Sequence, residues 1–252
     1  MSRRRLILVA SGAALAGIIY LVGWSSLLTI STVQIETKDP KNIALIEAQL
    51  REFGQEIRVG QPLARINVRA VERTLKQETW IGMVNLRRDW LSGSVTLTVE
   101  ERIPLFRVER FGRESATYSK SFMTADGVLF QLPGDLANDY QNLPVLDLQS
   151  DDEQDRLGAV ELFQAVDPVL PVALMRVTSI STYITENYIR PDLGRKATGN
   201  KASGKRIRIA WGEVEEIPTK VLVAQSLIDL KSNKDAVRID VTNPELPTVS
   251  DR

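Results

Sequence analysis

Apolar positions along this chain fall into three textures: one long uncharged run, segments that alternate apolar and polar, and segments with helical spacing. The run spans 6–28, LILVASGAALAGIIYLVGWSSLL, and holds no charged residue. As a helix it would measure about 34 Å at about 1.5 Å per residue, enough for a hydrocarbon core of about 30 Å. Arg3, Arg4 and Arg5 precede it. The positive-inside rule therefore predicts a cytoplasmic tail over 1–5, a single N-terminal transmembrane helix over 6–28, and the rest of the chain outside. A cleaved signal peptide is the competing reading. Its Ala-x-Ala pattern, at Ala14 and Ala16, would cut the run in its middle.

Past the run, Val33 and Ile35 alternate with Thr32, Gln34 and Glu36, which predicts a half-buried strand over 31–37. Asp39-Pro40 ends it. Ile43, Ile46, Leu50 and Phe53 then recur at three- and four-residue steps, the mark of an amphipathic helix closed by Gly54. After Gly60-Gln61-Pro62-Leu63, Asn67 is a candidate N-cap for a second helix carrying Val68, Val71 and Leu75. Met83, Val84 and Leu86 lead to a turn at Trp90-Leu91-Ser92-Gly93. Val95, Leu97 and Val99 then alternate with Ser94, Thr96, Thr98 and Glu100, so the pair reads as an antiparallel hairpin with one wet face. The order over 31–102 is βααββ, with both helices on one face of a small sheet.

Beyond 103 the pattern predicts short strands at 105–108, 117–122 and 128–132, with a turn at Ala125-Asp126-Gly127. Asp151 and Asp152 are candidate caps for a helix with Ala159, Val160, Phe163 and Val166, stopped by Pro168. Strands are expected at 176–180 and 182–184 and around Ile207, Ile209 and Trp211. Pro218 suits the first turn of a helix bearing Val223, Ala224, Leu227 and Ile228. The closing strand, 236–242, alternates Val237, Ile239 and Val241 with Arg238, Asp240 and Thr242. Residues 244–252, after Asn243-Pro244, are expected to form a flexible tail. The expected fold class is α+β: one transmembrane helix, a βααββ domain over 31–102, and a mainly antiparallel β domain with flanking helices over 103–243.

Composition narrows the function. The 32 basic and 32 acidic residues cancel, which argues against nucleic acid as the main partner. Neither cysteine nor histidine occurs. Disulfides, thiolate nucleophiles, Ser-His-Asp triads and the usual zinc ligands are excluded.

Several strings, in order, resemble the bacterial cell-division protein family FtsQ, also called DivIB. They are Ile30-Ser31-Thr32-Val33-Gln34-Ile35, Gly60-Gln61-Pro62-Leu63, Trp80-Ile81, Val99-Glu100-Glu101-Arg102-Ile103-Pro104, Ala125-Asp126-Gly127-Val128-Leu129-Phe130 and Arg238-Ile239-Asp240-Val241. They follow a short basic N-terminus and one uncharged run. Where that family often has Trp-Pro or Tyr-Pro near the hairpin turn, this chain has Trp90-Leu91. The resemblance implies a POTRA domain, then a β domain, in an inner-membrane protein enriched at the septum. It implies a scaffold without catalysis or cofactor, joining division proteins, chiefly FtsB and FtsL. The alternatives are an anchored enzyme acting on peptidoglycan, through Asp and Glu alone, and a POTRA chaperone for secreted proteins.

As the last strand of a sheet, 236–242 would offer an edge to which a partner strand adds. Its candidate partner-binding residues are Val237, Arg238, Ile239, Asp240, Val241 and Thr242. Gly199 to Lys205, GNKASGK, copies a P-loop but continues with Arg206 and precedes a strand rather than a helix, which opposes nucleotide binding. Around it Arg190, Arg195, Lys196, Lys201, Lys205, Arg206 and Arg208 face only Asp192. That segment is a solvated loop or a contact for anionic lipid or wall polymer. Glu100 and Glu101, on opposite strand faces, suit a salt-bridged junction rather than paired catalytic carboxylates.

Overall fold

The computed structural model describes residues 11–17, 20, 28–109, 121–178, 180–189 and 205–251. It divides into two compact units, Met1–Arg102 and Ile103–Arg252.

The single N-terminal transmembrane helix expected over 6–28 is corrected first. Residues 11–17 and residue 20 are helical, and the other residues of that stretch up to 27 lie outside the described set. No helix among the described residues is long and apolar enough to cross a membrane.

In the first unit β1 (Thr32–Glu36) is followed by α1 (Ile43–Glu52), α2 (Val68–Leu75), β2 (Ile81–Asp89) and β3 (Ser94–Glu101). The sheet order is β1-β3-β2. β1 runs parallel to β3, with Val33 beside Val95 and Ile35 beside Leu97. A parallel pair needs a crossover, which the two helices provide on their way to the β2–β3 hairpin. The period of two in β3 turns Val95, Leu97 and Val99 inward, and Ile46 and Leu50 of α1 and Val71 and Leu75 of α2 are buried as well. Ser94, Thr96 and Thr98 stay on the wetter face. The Asn67 side chain caps α2, accepting from the Ala70 amide at 3.1 Å. Phe53, expected on the buried stripe of α1, is its C-cap residue and 47% exposed.

The second unit holds β4 (Phe106–Glu109), β5 (Ser121–Met123), β6 (Leu129–Gln131), α3 (Gly134–Asn138), β7 (Val145–Leu148), α4 (Glu153–Val166), β8 (Val172–Val177), β9 (Tyr183–Ile189), β10 (Lys205–Gly212), α5 (Ile217–Asp229), β11 (Arg238–Asp240) and β12 (Thr248–Ser250). The nine strands among the described residues form one sheet in the order β12-β11-β10-β9-β8-β7-β4-β5-β6. This sheet is mixed, not mainly antiparallel: β4 and β7, β7 and β8, and β10 and β11 pair in parallel. The cause is the placement of the helices. α4 returns the chain from β7 to β8 in the same direction, and α5 does so from β10 to β11.

Both helices feed one core, where Ala159, Phe163 and Val166 of α4 and Ile217, Val221 and Ala224 of α5 join Leu146, Met175, Trp211 and Ile239. Phe106 meets Phe163 edge-on at 4.7 Å. Asp152 caps α4, as the sequence predicts, by accepting from the Gln154 amide at 2.9 Å.

Two further corrections concern the end of the chain. The closing strand is not the sheet edge, because β11 lies between β10 and β12. Residues 244–252, expected to be loose, contain β12, which runs antiparallel to β11 with Ile239 beside Val249. Asparagine and aspartate chemistry turns the chain back. Asp240 Oδ1 accepts from the Thr242 amide at 3.1 Å, and Asn243 Oδ1 accepts from the Glu245 amide at 3.0 Å. Both side chains mimic a turn's backbone acceptor.

Candidate partner-binding edge

The six residues singled out from the closing strand divide by burial. Ile239 and Val241 are fully buried in the core. Their side chains hold β11 to the sheet and cannot meet a partner. Val237, Arg238 and Thr242 are exposed, and Asp240 is half-buried. The Val241 amide donates to the Ala210 carbonyl at 2.9 Å, so a proline there breaks the internal ladder.

Register determines what accompanies them. Arg238 lies beside Arg208 of β10, and Arg208 lies opposite Glu186 of β9. Arg206, two residues earlier, lies opposite Tyr188. Two guanidiniums converge on Glu186, Arg208 Nη2 at 3.3 Å and Arg206 Nη1 at 3.9 Å. Arg206 also donates to the Tyr188 hydroxyl at 3.1 Å and lies 5.0 Å from the centre of its ring. Arg238 Nη2 is 3.5 Å from Asp240 Oδ2. These side chains are solvent-accessible, so each ion pair is worth at most about 1 kcal/mol. Together they make a depression lined by Glu186, Arg206, Ile207, Arg208, Val237 and Arg238. The predicted strand and the end of the predicted basic segment thus meet on one face, which periodicity alone does not reveal.

Of that basic segment Arg190, Arg195, Lys196 and Lys201 lie outside the described residues, as does most of the P-loop-like string. Its last member, Lys205, opens β10 and donates to the Lys234 carbonyl at 2.7 Å. Glu101 is bonded by the Thr37 hydroxyl, and among the described residues no ion pair joins Glu100 or Glu101, so the expected salt bridge gives way to a hydroxyl contact.

β12 is the part of this site that the sequence reading missed. Its three residues, Thr248-Val249-Ser250, show one polar–apolar–polar alternation, too short to register as a strand. The turn signal at Asn243 was visible, but as a stop rather than a reversal.

The arrangement can do one thing well. It presents a short terminal strand on a sheet whose neighbouring face carries arginines. Strand addition draws affinity from main-chain hydrogen bonds and selectivity from alternating side chains. No family model matches this chain, and no curated protein matches it.

Proposed function

We propose that this protein is a non-enzymatic scaffold of the bacterial division complex. In this reading it acts at the septum, on the outer side of the cytoplasmic membrane, and binds FtsB- or FtsL-like proteins by strand addition at β12. The observation that carries the reading is the end of the nine-stranded sheet. The chain finishes in a three-residue strand whose described strand neighbour is β11. Natural sheets blunt or cover such ends unless they recruit a strand there. The resemblance to the FtsQ/DivIB family supplies the partner class. Arg238 and its neighbours on β10 favour an acidic partner segment by charge complementarity.

The test combines location with binding. A fluorescent fusion of the full chain collects at mid-cell in dividing bacteria, and the purified chain retains an FtsB-like partner. Removing 244–252 abolishes retention and leaves β1 through β11 folded, as judged by an unchanged far-ultraviolet spectrum. Retention at wild-type affinity by the truncated chain overturns strand addition at β12. A uniformly distributed fusion overturns the division role itself.

A further inference from the structure

The tip of the β2–β3 hairpin in the first unit is held by hydrogen bonds, and it exposes the two side chains that a turn in water has least reason to show. Leu91 is 100% exposed and Trp90 41%. Asp89 Oδ1 accepts from the amides of Leu91 at 2.9 Å and Ser92 at 3.4 Å. The Ser92 hydroxyl and then these amides hold the Asp89 carboxyl below its usual range. Arg88 donates to the carbonyls of Leu63 at 3.1 Å and Ile66 at 3.4 Å, and its guanidinium carbon lies 5.3 Å from the Trp90 ring centre. Trp90 is therefore propped from below while Leu91 projects.

The tip is also fastened to the start of the unit. Ser31 donates to the carbonyls of Gly93, through its amide, and Ser92, through its hydroxyl, both at 2.8 Å. Gly93 has φ +70°, and a Cβ there would sit 2.9 Å from the Thr29 carbonyl oxygen. Only glycine allows that approach. The stretch joined to Thr29 has no charged residue over 6–28. Arg87 lines the concavity beside Trp90 and Leu91, together with Arg88 and the carboxylates Glu36 and Asp89, and has no ion-pair partner among the described residues.

We infer that the Trp90-Leu91 tip, with Arg87, docks on an anionic lipid surface at the end of the unit where the uncharged stretch joins it. An indole and a leucine suit the headgroup boundary, where an aromatic ring is half wet and an aliphatic chain reaches the acyl region. A nearby arginine adds attraction to anionic headgroups, about a fivefold gain in occupancy. The sequence that leads into Thr29 and the exposed side chains of the tip share one apolar chemistry, so the occupant is a lipid surface. The inference is independent of the division role.

The chain has no cysteine, so single-cysteine variants are clean labels. Leu91→Cys and Lys38→Cys, each carrying a nitrobenzoxadiazole dye in the full chain, compare the tip with the opposite end of the sheet. Lys38 is exposed and lies beyond the end of β1 that pairs with Thr98. On vesicles of phosphatidylcholine and phosphatidylglycerol bearing spin-labelled lipid, the dye at 91 is quenched several-fold more than the dye at 38. Adding Arg87→Gln reduces engagement of the tip about fivefold, as does omitting phosphatidylglycerol. Equal quenching at both positions, or none at either, overturns the inference. So does quenching at 91 that neither change alters.

Discussion

The two sheets treat polar side chains in opposite ways. Among the described residues of the first unit the buried polar ones are Asn42 and Thr74, both outside the strands, and the buried side chains of β3 are the aliphatic Val95, Leu97 and Val99. In the second unit Asp147, Thr185 and Asn187 are fully buried within strands, and Asp155 and Lys220 are buried on the helices. Each has a partner. Arg176 Nε meets Asp147 Oδ2 at 2.6 Å. Trp211 Nε1 donates to Thr185 Oγ1 at 2.7 Å, and Asn187 Nδ2 donates to the Leu170 carbonyl at 2.7 Å. A small sheet covered on one face can keep its polar groups wet. A nine-stranded sheet with three parallel pairs encloses them, and enclosed groups must be satisfied internally. Such groups add little net stability but penalise any arrangement that leaves them unpaired.

Substitutions can break that comparison, beginning where the loss is largest. Trp211, 1% exposed, anchors the second core and its polar chain, so Trp211→Ala costs about 3–5 kcal/mol. Leu97→Ala in the first unit costs about 2–5 kcal/mol through lost burial and the cavity left behind. Urea denaturation of each variant measures both. A mild Trp211→Ala effect beside a severe Leu97→Ala effect would reverse the account of which unit relies on more than aliphatic packing.

Lys220→Met sharpens the contrast. Lys220 Nζ donates to the carbonyls of Trp211 at 2.9 Å and Glu213 at 3.0 Å. Methionine keeps the volume but leaves both carbonyls without that donor, a loss of about 1–3 kcal/mol by the same denaturation. A neutral outcome would show that water reaches these carbonyls.

Tyr183→Phe is smaller, about 1 kcal/mol, because it removes one hydroxyl donor, shared between the Asp155 carbonyl at 3.2 Å and its Oδ1 at 3.4 Å. Burial first, then the charge of Asp155, raises the Tyr183 pKa above its ordinary value. A raised folded pKa means the stabilisation is complete below the unfolded value of about 10 and is lost as pH rises through the folded one. Stability of the parent chain therefore falls above about pH 10, and part of that fall disappears in Tyr183→Phe, which melting curves across alkaline pH resolve. Thr96→Ala, on the wetter face of β3, stays within about 0.5 kcal/mol. A loss equal to that of Leu97→Ala would mean that β3 faces the other way.

The same contrast explains what could be read beforehand. β3 was legible because one wet face imposes strict alternation, and α4 was legible because Asp152 caps it and Ala159, Phe163 and Val166 repeat at helical steps. β7 was not, because the buried Asp147 interrupts its apolar run and its partner, Arg176, lies 29 residues away. Without β7 the parallel pairs could not be foreseen, and the sheet was expected to be mainly antiparallel. Phe53 fitted the helical period yet caps α1 in solvent, since period alone does not say where a helix ends. At the candidate site the alternation of β11 was visible. Its neighbours were not: Arg208 and Glu186 come from β10 and β9, and β12 was too short to show.

A partner strand that adds at β12 would pair with the amides and carbonyls on the side turned away from β11. Hydrogen exchange of the full chain, with and without an FtsB-like partner, tests this pairing directly. The account predicts new protection at the amides of 246–251, with less change at Ile239 and Val241, which are already buried. Unchanged exchange over 246–251 in a complex that forms and protects another surface would contradict it.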